Sequence, residues 1–350
     1  MASTVSSARQ RERTRARRRA FTLVTAFVLL SITLLFDILT GPAMLPLGEV
    51  SMALLSPTTT PQGMVSTIVW EIRLPMALTA VVVGASLAIA GTEMQTILDN
   101  PLASPYTLGL SAAAGFGAAV AILSGAALFG RTEWAVPGFA FLGAITGCAA
   151  IYAVGRLRGL SSGIMVLAGI AILFLFQSLL SLVQYLASPE TLQEIVFWLF
   201  GSLLKASWQT VAVTAVVLFA VLPLLARDVW RLTALRLGEE RARSLGIDVE
   251  RLRLRVFLAV SLLTAAAVSF VGTIGFVGLV APHVARMLVG EDQRFLLPLA
   301  ALCGAVMLSA ASILSKLISP GAVVPIGIVT AVAGLPFFFV LILRRGGGAR

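Results

Sequence analysis

Few residues in this 350-residue chain could do chemistry, and their spacing excludes most of it. The single histidine, His283, stands far from the two cysteines, Cys148 and Cys303, which lie apart in separate apolar runs. No CxxC is present, so neither a zinc-type cluster nor a disulfide is expected. No nucleophile–base pair is visible. A phosphate-cradling loop needs Gly-Lys-Ser/Thr. The two lysines, Lys205 and Lys316, follow Leu204 and Ser315 and cannot supply one. The chain is therefore expected to be no enzyme and to hold no metal and no cofactor of its own. If ATP drives it, a separate subunit hydrolyses that ATP.

What remains is polarity set into apolar sequence, and it falls in three places. Glu93 is an acid near the inner end of an apolar run. It reads either as a helix-end carboxylate reaching interfacial water or as part of a path or of ion coupling, since ionisable groups inside membranes mark such routes. Gln177, Ser181 and Gln184 recur at i, i+4 and i+7, one polar stripe on an otherwise apolar helix. From the residues alone it reads as hydrogen bonding between packed helices. The stretch from Arg227 to Arg255 holds 8 arginines and 5 acidic residues, in a chain with only 42 charged residues. Within it the run LGEERARSLGID suits a short amphipathic helix, with Leu237, Ala242 and Leu245 on its apolar side, Glu240 beside them, and Gly246 as a stop at positive φ.

The elements that must position these groups are membrane helices. The chain is 58% hydrophobic and 12% charged, against about 25% charged in a soluble domain. The reading is an all-α polytopic membrane protein of about ten spans, at roughly 20 residues each. Residues 1–20 carry seven arginines and read as a disordered basic tail. Residues 21–345 form one transmembrane domain with a charged loop at 227–255, and 346–350 a short C-terminal tail. Arg18-Arg19 before an apolar run resembles a signal, but an uncleaved first helix at 21–39 fits better. Further apolar segments fall near 74–98, 106–125, 135–155, 164–186, 208–226, 256–274, 276–290, 295–315 and 325–343, with 276–290 short and, containing Pro282, read as broken or tilted. Residues 40–72, rich in Pro, Thr and Ser, read as an external segment.

With both termini inside, 22 of the 26 basic residues fall on the cytoplasmic side, leaving Arg73, Arg131, Lys205 and Lys316 outside or at its edge. Trp70, Trp134, Trp198 and Trp208 fall near the outer boundaries, where amphipathic rings belong. The net charge of +10 thus needs no nucleic-acid partner; the partner implied is membrane lipid.

Several long motifs then carry a resemblance. RLP (Arg73 to Pro75), VGASLAIAGTEMQ (Val83 to Gln95) and DNPLASPYTLGLS (Asp99 to Ser111) are followed in the second half by GTIGFVGLVAPHVAR (Gly272 to Arg286), GEDQRFLLP (Gly290 to Pro298) and VPIGIVTAVAGLPFFFVLIL (Val324 to Leu343). Over roughly residues 65–345 the chain resembles the permease subunits of ABC importers for iron–siderophore, haem and vitamin B12, the FecCD type of type II importer.

The resemblance implies a ten-helix subunit of a bacterial inner membrane, paired with a second permease as homodimer or heterodimer. It implies ABC ATPase subunits on the cytoplasmic face and an extracytoplasmic substrate-binding protein outside. It places Glu240, Ala242 and Gly246 at the ATPase-coupling motif. It places Arg73 and Lys316 at binding-protein docking positions, although Lys316 is usually arginine, and Met76 and Val323 replace charged residues there. It makes Gln177, Ser181 and Gln184 line the path, and Ser161 and Ser162 part of a gate. Asn100, before Pro101, reads as a turn or as an ATPase contact. The cargo implied is a ferric siderophore, with haem and cobalamin as alternatives. An ion-coupled secondary transporter is the other transport reading.

Overall fold

A computed structural model describes residues 2–41, 45–55, 63–126, 132–318 and 322–345. Arg131 and the C-terminal tail at 346–350 lie outside the described residues. The elements in order are α1 (Ala2–Leu39), α2 (Leu47–Leu55), α3 (Gly63–Thr67), a π-helical turn (Ile68–Arg73), α4 (Leu74–Ile97), α5 (Leu110–Ser124), α6 (Ala135–Arg158), α7 (Ser162–Leu186), α8 (Pro189–Leu199), α9 (Trp208–Leu235), α10 (Glu239–Ser244), α11 (Val249–Val271), α12 (Val277–Val289), α13 (Gln293–Leu317) and α14 (Ile326–Arg345). No strand occurs among the described residues.

Seven helices are long and apolar enough to cross a membrane, and α5, α12 and the first part of α14 are shorter apolar helices. Polar caps set many of the starts. Ser161, Ser188, Ser207, Asp248 and Asp292 each accept a hydrogen bond from an orphan amide of the following first turn.

Helix α4 is the axis of the bundle. It packs on α13, α11, α12 and α9, and almost every side chain from Met76 to Ile97 is buried. A helix apolar on all faces must be enclosed on all faces. Small residues make the enclosure close. Gly91 lies against Gly278 of α12 and Gly84 against Gly304 of α13, so that a Cβ on either would collide with the opposite backbone carbonyl. Gly91→Ala is expected to destabilise the protein by about 1–3 kcal/mol through overpacking. Thermal unfolding in detergent checks this against Gly48→Ala, a site with open space around it.

Several expectations change. The basic tail is not separate from the first span: residues 2–39 form one helix, since no Gly or Pro interrupts that run and Arg, Gln, Glu and Ala favour helix. The charged loop at 227–255 is mostly helix. α9 continues to Leu235 and α11 begins at Val249, because Leu225, Asp228, Leu232 and Leu235 keep one face of α9 buried past the apolar segment. The segment at 40–72 contains α2 and α3, with Val50, Ala53 and Val69 forming a small core under Trp70. Finally, α12 stays one helix through Pro282, and α8 adds an unexpected amphipathic element whose Ser188 cap and Pro189 were legible start signals.

Candidate functional site

The arginine-rich ends of the helices gather at one end of the bundle, and α10 is held there between α9 and α11. Its stop is built from backbone. Gly246 has φ +78, its N–H donates to the Arg243 carbonyl at 2.9 Å, and the Ile247 N–H donates to the Ala242 carbonyl at 3.1 Å. That pair of bonds is a Schellman ending. Ala242 is fully buried and seats the helix, while Glu240 and Gly246 face outward. Leu237 and Leu245 do not join Ala242 inside; they are 58% and 66% exposed. Gly238 and Gly246, both at positive φ, take the chain out of helical register on either side, so the 3.6-residue period stops short of both leucines. The result is a short helix of mixed charge flanked by two exposed leucines.

Charged groups tie this end together. Arg236 forms a fork with Glu291 through two bonds of 3.1 Å and reaches Asp99 at 2.6 Å. Arg286 donates to Glu291 at 3.0 Å and to the Gln95 side chain at 2.9 Å. Arg19 on α1 meets Asp292 at 3.1 Å. The hydrogen bonds from Arg294 hold the Asp292 carboxyl below the usual carboxylate range. Arg294 also stacks on Trp230, 4.3 Å from the ring centre. Buried below α10, Arg253 joins α4, the α6–α7 link and α10.

Asn100 serves the turn after α4. Its side-chain oxygen accepts from the Leu102 amide at 2.9 Å and its carbonyl from the Ala103 amide at 3.1 Å. The preceding residue, Asp99, takes φ +45.

Ser161 caps α7 by accepting from the Ile164 amide at 3.4 Å, and Ser162 opens the helix. Further along, Gln177 and Ser181 are exposed and Gln184 is half-buried. Ser181 bonds back to the Gln177 carbonyl at 3.0 Å. The stripe thus turns away from the subunit's own core. Glutamine amides are costly in lipid, so this face calls for water or another protein surface. That argues against hydrogen bonding within the single bundle, the alternative for these residues.

Glu93 does not reach interfacial water. It is fully buried, just over one turn before the end of α4, and neither carboxylate oxygen has a hydrogen-bond partner among the described residues.

Arg73 and Lys316 require the plainest correction, because neither presents its charge outward. Arg73 is buried and donates to the carbonyls of Ile38 and Leu39 at 3.2 and 2.8 Å. Lys316 is buried against Asp37, 2.6 Å from its carboxylate. Both cations anchor the end of α1, whose last-turn carbonyls are orphan acceptors.

Residues 29–344 match the FecCD transport family. The chain belongs to that family. As a FecCD chain it is a polytopic membrane permease of the ABC type, a transport subunit rather than a catalytic one. It is 36% identical over 291 residues to the vitamin B12 import system permease protein BtuC of Vibrio cholerae, covering 83% of this chain and 87% of that one. It is 37% identical over 284 residues to the hemin transport system permease protein HmuU of Yersinia pestis, covering 79% and 84%. It is 39% identical over 283 residues to the probable iron chelatin transport system permease protein of Helicobacter pylori, covering 81% and 84%. Its fold matches a solved chain described as an inward-facing conformation of a metal-chelate type ABC transporter, with TM-score 0.80 at 32% identity, covering 92% of this chain and 98% of that one. The FecCD match takes in α10, the α7 stripe and the charged network apart from Arg19.

Sequence alone does not single out Arg253 or Asp228, and it places Asp37 only as an acid at the outer end of the first span. For Arg253 a signal existed: it falls on the apolar stripe of α11 with Val249, Val256 and Phe257.

Proposed function

We propose that this FecCD chain is the membrane permease of an ATP-driven importer for ferric siderophore, working in a bacterial inner membrane. Haem and cobalamin are the neighbouring cargoes, and the relatives' names divide among vitamin B12, hemin and iron chelatin. Seven long and three shorter apolar helices support ten spans, and the arginine-rich end is then cytoplasmic, with both termini on that side. The observation that carries the reading is α10, a six-residue helix held out from the basic end on a buried alanine, with leucines and charge facing away from the bundle. ABC ATPases would dock there. Their closure would move α10 as a rigid body and switch the path between its two openings. The path would run along the exposed stripe of Gln177, Ser181 and Gln184, between this subunit and a second permease, same or paralogous. A substrate-binding protein would deliver cargo at the opposite end.

The test is uptake into proteoliposomes holding the permease with its candidate ATPase and binding protein. Ferric siderophore, haem and cobalamin would be offered in parallel. Accumulation of ferric siderophore alone, dependent on ATP, is the expected result. Uptake that follows a proton or sodium gradient without the ATPase, and is lost in Glu93→Gln, would replace this reading with ion-coupled transport.

A further inference from the structure

Arg253 is placed where a structural residue would be apolar. Only 2% of it is exposed, and Leu252, Val256 and Phe257 around it are buried too. A buried guanidinium is costly unless its donors are all engaged. Here each of its three nitrogens donates to a different part of the fold. Nε donates to the carbonyl of Ile97, the last residue of α4, at 2.8 Å. One terminal nitrogen donates to the carbonyl of Leu160, in the link between α6 and α7, at 2.5 Å. The other donates to the carboxylate of Glu239, in the first turn of α10. Leu160 immediately precedes Ser161 and Ser162.

The guanidinium is one rigid plane, so its three partners cannot shift independently of one another. If Glu239 moves with α10, the fork turns, and the bonds to Leu160 and Ile97 must lengthen or drag their carbonyls along. An ammonium at this position lacks the plane and would transmit no such constraint. We propose that Arg253 is the positioning residue that carries displacement of α10 to the α6–α7 link and to the end of α4. Its role in transport rests on the importer reading above; the mechanical link is a property of this chain alone.

Two arms keep those claims apart. The first is amide hydrogen exchange on the full-length permease in lipid nanodiscs, without partners. The reporters are the Ile164 and Met165 amides, which donate to the Ser161 hydroxyl and carbonyl. Glu239→Gln weakens one arm of the fork at a half-exposed side chain, so the fold is retained. Exchange at Ile164 and Met165 is expected to rise about ten-fold, the worth of a charge-assisted hydrogen bond. Arg253→Lys should give the same rise. Arg251→Gln, on an exposed side chain of the same turn, should leave it unchanged. A change confined to residues 239–246 would overturn the link.

The second arm uses the complex with ATPase and binding protein. Arg253→Lys should keep ATP hydrolysis within about two-fold while uptake per ATP falls about ten-fold. Parallel loss of both would make Arg253 a folding residue only. A wild-type complex without ATP-driven uptake would remove the importer reading, and the exchange arm would still decide the link.

Discussion

Lys316→Met is expected to cost the protein about 3–5 kcal/mol, the range for breaking a buried ion pair by removing one partner. The lysine side chain is 1% exposed and the Asp37 side chain fully buried. The ammonium donates to the Asp37 carboxylate at 2.6 Å and to the Asp37 backbone carbonyl at 2.9 Å. Ser312 donates to the same carboxylate oxygen at 2.7 Å, and the other oxygen has no hydrogen-bond partner among the described residues. Methionine fills the volume but strands an anion between α1 and α13. The double variant Asp37→Asn, Lys316→Met removes the stranded charge and should recover most of the loss, since exchanging a whole buried pair for neutral groups is often close to neutral. Chemical unfolding in detergent would measure both. A loss below about 1 kcal/mol in the single variant, the value for a solvent-exposed pair, would mean that Lys316 faces water after all and is available to a docking protein.

The second large effect is expected at Gly246, and it should appear in transport more than in stability. Nothing lies within 4 Å of where a side chain would begin, so a clash cannot explain any loss there. The backbone can. Proline fixes φ near −65°, whereas Gly246 sits at +78. Gly246→Pro would also remove the N–H that bonds Arg243 and displace the Ile247 bond to Ala242. At about 3 kcal/mol for a misplaced proline, the seated form of α10 should fall roughly a hundred-fold in population. ATP-dependent uptake should drop by a similar factor, with the unfolding transition of the bundle little changed. Gly246→Ala, which pays only the left-handed backbone cost of about 1–2 kcal/mol, should fall between. Uptake within two-fold of wild type in the proline variant would show that the α10 ending is dispensable.

Much of this protein is written in short-range sequence. Apolar runs of span length, separated by caps, glycines and prolines, specify most of the membrane helices because a segment's hydropathy and its end signals are local properties. The same holds for α10, whose positive-φ glycine follows a six-residue helix, and for the polar stripe on α7, where helical period alone puts Gln177, Ser181 and Gln184 on one face. The continuation of α9 and α11 past their apolar segments was less legible, since charged residues favour helix as readily as loop and only a buried face decides between them.

The fate of individual charges was not local at all. Arg73 and Lys316 look alike in sequence to any interfacial cation, yet both turn inward because the end of α1, 34 to 279 residues away, supplies their acceptors. Arg253 lies among the arginines of a charged stretch, and its partners, 14, 93 and 156 residues distant, set it apart from its exposed neighbours. Glu93 reads as a helix-end acid, yet α4 is enclosed by α9, α11, α12 and α13 and the residue is fully buried. Hydropathy and turn chemistry act over a few residues and so set the elements. Whether a charged side chain is buried, and what it then holds, depends on which distant backbone groups the packing brings within 3 Å or so, and that was settled only when the bundle closed around α4.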